Sequence, residues 1–378
     1  MNHSKTVLGG KKSRRVCLAQ ISPAFMDREA SVARAVSAIG EAAKGGAELI
    51  VFPEAWLAGY PYWTEGWDSR LAQWIDGRVR FFDQAVIVPS AATAAIAKAA
   101  RDAEIVVIMG CNEADPRPGV NTIYNSLLFF DQSGRLLGRH RKLMPTFSER
   151  LFWGAGDGSD LSVYETSIGR IGALICGEHL MTSVRAAMIA MGEDFHVAVF
   201  PGAFGLHTGP RLEEWNGNGD FWGHFVCRAH AFESGSFVLS ASAIVNPHDV
   251  PDDFPYKEKM NIDYAKGGSQ IISPLGVPLV GPVEGEQLIF ADCEAWMIKA
   301  VKAIIDTAGH YGRADVVRVL LSRHGGWVPA GAEYRSGPIP TLSGSELARS
   351  SDQWEIEQHV VAEVVDQACI PIKREPVA

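Results

Sequence analysis

The sequence has no CxxC pair, no long apolar run, and no repeat or low-complexity tract. Each absence removes a class of protein. Its six cysteines, at 17, 111, 176, 227, 293 and 369, stand singly, so neither a disulfide framework nor a Cys-rich zinc module is written in their spacing. Reduced thiols in a cytoplasmic protein are the simplest expectation. No stretch approaches the roughly 18 apolar residues that a membrane span needs. The charges at the N-terminus are not followed by an apolar segment of signal-peptide length. The histidines show no HExxH or Cys/His spacing, and the glycine-rich run Gly154-Ala155-Gly156-Asp157-Gly158-Ser159 lacks the GxxxxGK[ST] pattern that cradles phosphate. That run reads as a tight turn or as backbone packed close to a site, and neither metal nor cofactor is expected. Basic residues are also short: 35 Lys and Arg against 44 Asp and Glu give a net charge of −9. Such a balance argues against nucleic acid as the main partner. The one basic cluster, Lys11, Lys12, Arg14 and Arg15, reads as a solvated arm.

What is present is a chain of 378 residues, 47% hydrophobic and 21% charged, as in ordinary globular proteins. Length alone would allow two or three domains, but no linker composition interrupts the middle. One domain over 15–324 is expected, preceded by an arm (1–14) and followed by an extended tail (325–378) that needs another surface to pack on. Apolar runs or alternations bounded by Gly, Pro or Asp predict strands at 16–21, 49–52, 105–110, 123–131, 171–176, 197–200, 237–244, 270–273 and 287–291. Amphipathic or Ala-rich segments predict helices at 28–43, 90–103, 179–191 and 295–307. Strands alternating with helices imply an α/β layered architecture, with one sheet or two left open.

Three segments deliver an ionisable residue where a strand gives way to a loop, the place where a rigid scaffold presents catalytic groups. In Val51-Phe52-Pro53-Glu54-Ala55-Trp56, the apolar setting of Glu54 would leave its carboxylate poorly hydrated and raise its pKa towards neutrality. A glutamate satisfied by backbone N–H groups at a helix start is the alternative. Lys142 ends a strand whose neighbours are apolar or aromatic, within His140-Arg141-Lys142-Leu143-Met144-Pro145, and a buried ammonium there would stabilise developing negative charge. A solvated strand-end lysine is the plainer reading. In Gly172-Ala173-Leu174-Ile175-Cys176-Gly177-Glu178-His179, a buried strand, a turn-permitting glycine and a helix about two residues on would expose the thiol near a helix N-terminus, whose dipole favours the thiolate. This context favours a nucleophile over a cysteine that merely fills core. His179 is too near in sequence to be the expected partner of a Cys–His pair.

Taken together these segments resemble the nitrilase superfamily, and its nitrile-hydrolysing branch in particular, over residues 15 to 320. The resemblance implies that Glu54, Lys142 and Cys176 form the catalytic set and that Glu149 is the second glutamate that helps hold lysine and substrate. It is carried by HRKLMPTFSERLFWGAGDGSD at 140–160, PEAWLAGYP at 53–61, RAHAFESGSFVL at 228–239, GGSQIISPLG at 267–276 and DTAGHYGRAD at 306–315. It further implies a four-layer αββα sandwich that pairs into a homodimer and extends into larger oligomers or spirals. Gly177 departs from the pattern, since many nitrilases carry Trp after the cysteine, and a glycine there would widen the space beside the nucleophile.

The expected reaction is hydrolysis of an aryl or arylaliphatic nitrile to the acid and ammonia, with only nitrile and water as small-molecule partners. Trp56, Tyr60, Trp153, Phe204 and Trp222 are candidate pocket walls, with core or interface packing as their alternative role. The same residues would also suit a cyanide hydratase or dihydratase, an aliphatic amidase or a carbamoylase. A catalytically silent assembly protein is the non-enzyme alternative.

Overall fold

The order of strands explains why the three loops meet. The computed structural model describes residues 6–63, 71–203, 221–263 and 265–323. The first half builds β1 (Ser13–Gln20), α1 (Arg28–Lys44), β2 (Leu49–Val51), α2 (Leu71–Asp83), α3 (Ala91–Asp102), β3 (Val106–Ala114), β4 (Ile123–Phe130) and β5 (Leu136–Arg141). The second adds β6 (Val163–Thr166), β7 (Gly169–Ile175), α4 (Thr182–Met191), β8 (Phe195–Phe200), α5 (Trp222–Ser234), β9 (Phe237–Ser242), β10 (Gly267–Ile272), β11 (Pro278–Glu284), β12 (Gln287–Glu294) and α6 (Ala295–Ile304). Local chemistry sets the ends: the Asp27 side chain caps α1 by accepting from the Ala30 N–H at 2.9 Å, and Gly45 closes it.

There are two six-stranded sheets, ordered β12-β1-β2-β3-β4-β5 and β11-β10-β9-β8-β7-β6. Each is parallel at its centre, through β1–β3 in one and β7–β9 in the other, with antiparallel strands outside. The alternation of side chains then divides the core. Val16, Leu18, Leu49, Val51, Val106, Ile108, Leu127 and Phe129 face a shared core with Ile171, Ala173, Ile175 and Val197 of the second sheet. Their neighbours Cys17, Ile50, Val107, Leu128 and Phe130 face the other way, onto Ala35, Ile39 and Ala42 of α1 and Ile96 and Ala100 of α3. On the far side, Cys227 and Ala231 of α5 and Met188 of α4 cover the second sheet. The result is the four-layer αββα sandwich. A third, mostly aromatic cluster, including Tyr60, Tyr62, Trp63, Phe81, Phe152, Trp153 and Phe254, lies beyond the strand ends.

All nine expected strands and all four expected helices are present, with shifted ends. Missed were β6, β11, α2 and α5, while β5 was foreseen only as the strand that Lys142 ends, without bounds. The segment from 179 to 191 is not one helix: a 3₁₀ turn, Cys176–Leu180, precedes α4. The tail expected at 325–378 lies outside the described residues. No helix among the described residues is long and apolar enough to cross a membrane.

Candidate active site

Glu54 leaves sheet one just after β2, and Lys142 follows β5, which runs parallel to β2 because two antiparallel pairings separate it from β3. Both therefore emerge at the same edge, outside the carboxyl ends of parallel strands, where open α/β sheets place their ligands. Lys142 is fixed along its backbone: its N–H donates to the Asn125 carbonyl at 2.8 Å, and its carbonyl accepts from the Gly156 N–H at 2.8 Å. A Cβ on Gly156 would lie 2.3 Å from the Arg141 carbonyl oxygen, so this segment of the glycine-rich run is backbone packed against the strand end. The Lys142 ammonium then donates to Glu54 Oε1 at 2.8 Å and Glu149 Oε2 at 2.7 Å. Asn125 donates its amide to Glu54 Oε1 at 2.7 Å, while Glu149 also accepts from the Thr146 N–H and the Tyr60 hydroxyl.

Cys176 arrives from the opposite sheet at the end of β7. Its φ is +49°, a left-handed conformation that residues with a Cβ seldom adopt without being held there. Glu178 is one of the groups that hold it. Its carboxylate accepts from the Ile175 N–H at 2.6 Å and from the Leu143 N–H at 2.7 Å, and it pairs with His140 Nε2 at 2.9 Å. One buried carboxylate thus ties the Lys142 strand end to the Cys176 elbow across the two sheets. One oxygen each of Glu54 and Glu149 and the Cys176 sulfur lie within 4.8 Å of one another.

The charges are consistent with proton transfer. Lys142, Glu54, Glu149 and Cys176 are all buried. Burial pushes Glu54 up to about 7; Lys142 opposes that rise and the Glu149 charge adds to it. Lys142 is driven well above its ordinary value by its two carboxylates despite its burial, and remains an ammonium. The Cys176 thiol is raised well above its usual value, chiefly by burial and then by Glu54. This corrects the expectation of a dipole-stabilised thiolate: Cys176 opens a single turn of 3₁₀ helix, whose dipole is small, and α4 starts only at Thr182. The resting sulfur keeps its proton and needs a base. Glu54 Oε2 is buried and accepts no hydrogen bond among the described residues, so it is the oxygen free to take that proton.

The structure also sorts the candidate walls. Tyr60 and Trp153 stand together, ring centroids 5.4 Å apart, with the Trp153 ring 5.9 Å from the Lys142 ammonium and its indole N–H on Asn112 Oδ1 at 3.0 Å. Trp56 takes the packing role instead: its indole N–H donates to the Ile21 carbonyl at 2.8 Å, and its ring packs on Phe52 in the core under α1 and α3. Trp222, half-buried at the start of α5, packs against Phe200 and Phe221. Phe204 lies outside the described residues. The space at Gly177 is not open, because a Cβ there would sit 2.8 Å from Thr146 Oγ1. Sequence reasoning missed Asn125, Asn112, Thr146 and Glu178. The polar pair Asn125-Ser126 inside the mostly apolar strand 123–130 was the available signal for Asn125.

Two groups of ligand-type side chains gather among the described residues: Glu193 with His196 and His230, and Glu54 with Glu149 and Cys176. In the second, the Lys142 ammonium already occupies the place of a cation between the carboxylates. In the first, both histidines hydrogen-bond directly to Glu193.

Comparison with known proteins agrees with this geometry. A family model described as carbon-nitrogen hydrolase matches residues 15–303. The chain is 37% identical over 308 residues to Nitrilase 2 from an unknown prokaryotic organism, covering 81% of this chain and 91% of the relative. It is 36% identical over 322 residues to bifunctional nitrilase/nitrile hydratase NIT4A of Lupinus angustifolius, covering 82% and 86% respectively. Among solved structures, Saccharomyces cerevisiae Nit3, a member of branch 10 of the nitrilase superfamily, superposes with a TM-score of 0.62 at 22% identity, covering 81% of this chain and 98% of that one.

Proposed function

The chain belongs to the carbon-nitrogen hydrolase family, and from that premise we propose that it is a nitrilase, converting an organic nitrile and two waters to a carboxylic acid and ammonia. One observation carries the reading: the Cys176 sulfur lies within 4.8 Å of a Glu54 carboxylate that is paired to a buried ammonium through one oxygen and, among the described residues, accepts no hydrogen bond at the other.

As Cys176 attacks the nitrile carbon, its proton passes to Glu54 and the nitrile nitrogen gains one, giving a thioimidate. Concerted transfer suits a thiol and a carboxylate whose proton affinities are both raised by burial. Glu54 then activates a water that adds to the same carbon, forming a tetrahedral intermediate. Expulsion of ammonia leaves a thioester, and a second water releases the acid and restores the thiol. Lys142 and the Gly177 N–H stabilise negative charge on the way. Glu149 keeps Lys142 in place, and Tyr60 and Trp153 form an aromatic wall beside it. That wall supports aryl or arylaliphatic nitriles as substrates. Room at Gly177 does not support them, because Thr146 fills it.

The tetrahedral intermediate can also expel the thiol and release an amide. The likeness to a relative named as both nitrilase and nitrile hydratase favours testing for that product. Incubation with benzonitrile, phenylacetonitrile and a short aliphatic nitrile, with acid, amide and ammonia quantified, is the test. Acid from the aromatic substrates is expected; exclusive turnover of the aliphatic nitrile refutes the substrate preference, and no turnover of any refutes the reaction. Assembly as a homodimer that extends further is part of the same proposal, and size-exclusion chromatography with light scattering checks it.

A further inference from the structure

Behind Cys176 runs a buried chain of four side chains that nitrile hydrolysis by Cys176, Glu54 and Lys142 does not use. His179 Nδ1 is 2.9 Å from the Cys176 carbonyl oxygen, and its Nε2 is 3.1 Å from His196 Nε2. His196 Nδ1 is 2.8 Å from Glu193 Oε1, and His230 Nε2 is 3.1 Å from Glu193 Oε2. None of the four side chains is exposed to solvent to any useful extent. These contacts fix where the protons are. A carbonyl oxygen only accepts, so His179 carries its proton on Nδ1 and offers a lone pair at Nε2. His196 faces that lone pair with Nε2 and the Glu193 carboxylate with Nδ1, so both contacts are hydrogen bonds only when both of its nitrogens donate.

The carbonyl at the head of this chain is half of a peptide unit whose other half does chemistry. The 176–177 peptide presents its oxygen to His179, and its other half carries the Gly177 N–H, the backbone donor next to the Cys176 sulfur that favours its thiolate. Holding one end of a planar peptide holds the other. Donation to the carbonyl also polarises the unit and strengthens its N–H as a donor. Cys176 needs such a hold, because its φ of +49° is one the backbone would otherwise leave.

We propose that His179, backed by His196, Glu193 and His230, is a positioning residue that locks the 176–177 peptide so that the Gly177 N–H stays aimed at the sulfur and at the negative charge that develops beside it; this rests on Cys176 being the nucleophile. Glu193 is lowered to about 2 by its two histidines despite its burial, which keeps the chain's acceptor ionised. Among the described residues, the other charged group that acts on these histidines is Arg185 of α4, and it is paired to Glu233 at 2.6 Å. A metal at Glu193, His196 and His230 would have to displace these hydrogen bonds.

Asparagine can place its amide N–H where His179 Nδ1 stands, whereas leucine cannot, so the pair His179→Asn and His179→Leu is the test. The readout is the rate of Cys176 alkylation by iodoacetamide across pH, beside kcat and KM. Loss of one such donor costs about 100-fold in kcat. His179→Leu is expected to lose about that much with KM little changed, to alkylate more slowly at neutral pH, and to shift its alkylation profile upward; His179→Asn recovers most of each. A folded His179→Leu with wild-type alkylation and kcat overturns the inference. Should that variant not fold, ¹⁵N-histidine spectra of the wild-type enzyme decide: His179 protonated only on Nδ1 and His196 on both nitrogens are required, and a neutral His196 or a bound metal overturns it. Neither alkylation nor the spectra use a nitrile. An enzyme that shows the His179 dependence but hydrolyses no nitrile would refute the reaction alone.

Discussion

Replacing Glu149 with Gln isolates the electrostatics of the site. Glutamine can keep the local contacts, its oxygen facing Lys142 and the Thr146 N–H and its amide facing the Tyr60 hydroxyl, which can accept. The change removes one negative charge. In the wild type that charge sits within 4.8 Å of Glu54 and raises its proton affinity, while sharing Lys142 with it. Two like charges at such a separation repel by about 3 kcal/mol at an effective dielectric near 20, or roughly two pH units. The sign is fixed: removing a neighbouring anion favours ionised Glu54, so its titration moves down. The free enzyme's base is read from kcat/KM against pH. The wild-type acid limb is expected near Glu54's value of about 7, and in Glu149→Gln it should lie about two pH units lower, whatever happens to the maximal rate. If turnover is too weak, the iodoacetamide rate at Cys176 reports the same group. A folded variant whose acid limb stays put or moves up would mean that Glu54 is not the base or that Glu149 does not face it.

Asn125→Leu is the converse, because it removes a hydrogen bond to Glu54 Oε1 that favours the ionised form; its acid limb should move up, and a downward move would contradict the assignment. Glu54→Gln should cut kcat by 10²- to 10⁴-fold, the usual worth of a general base, yet stabilise the fold at alkaline pH. The folded state holds the Glu54 proton more tightly than the unfolded chain, so its contribution is present below pH 4.5 and lost as pH rises through about 7. A thermal midpoint at high pH well below that of wild type would argue otherwise. His230 is depressed to about 4 by burial and by His196, so its contribution is present above pH 6.5 and lost as pH falls towards 4, on the order of 3 kcal/mol. His230→Gln, whose amide can still donate to Glu193, should flatten the loss of thermal stability over that window, and an unchanged slope would refute it.

Glu54 and Cys176 were legible because each follows an apolar strand, and apolar strands announce themselves by periodicity, whereas Lys142 stood out through the family resemblance. The elements missed or left without bounds are those whose sequence obeys other demands. In β5, Arg139, His140 and Arg141 pair with Glu113 and Glu178, so the strand reads as polar. In β11, Pro278, Gly281 and Pro282 are breakers tolerated only because it is an edge strand with an irregular register. The supporting residues were hidden for a related reason. Asn125 and Glu178 matter through partners dozens of residues away, Glu178 across to the other sheet, and local spacing carries no trace of such contacts. Thr146 shows the same limit: Gly177 reads as open space until the loop from the opposite sheet fills it.

The central claim is that Cys176 forms a covalent acyl intermediate from a nitrile. Acid-quenching the wild-type enzyme during turnover of phenylacetonitrile and mapping the adduct by peptide mass spectrometry tests it directly. The account predicts a thioester or thioimidate on Cys176, and neither adduct nor acid from Cys176→Ala. Acid and ammonia released with no adduct on Cys176, or by the folded Cys176→Ala enzyme, would contradict it.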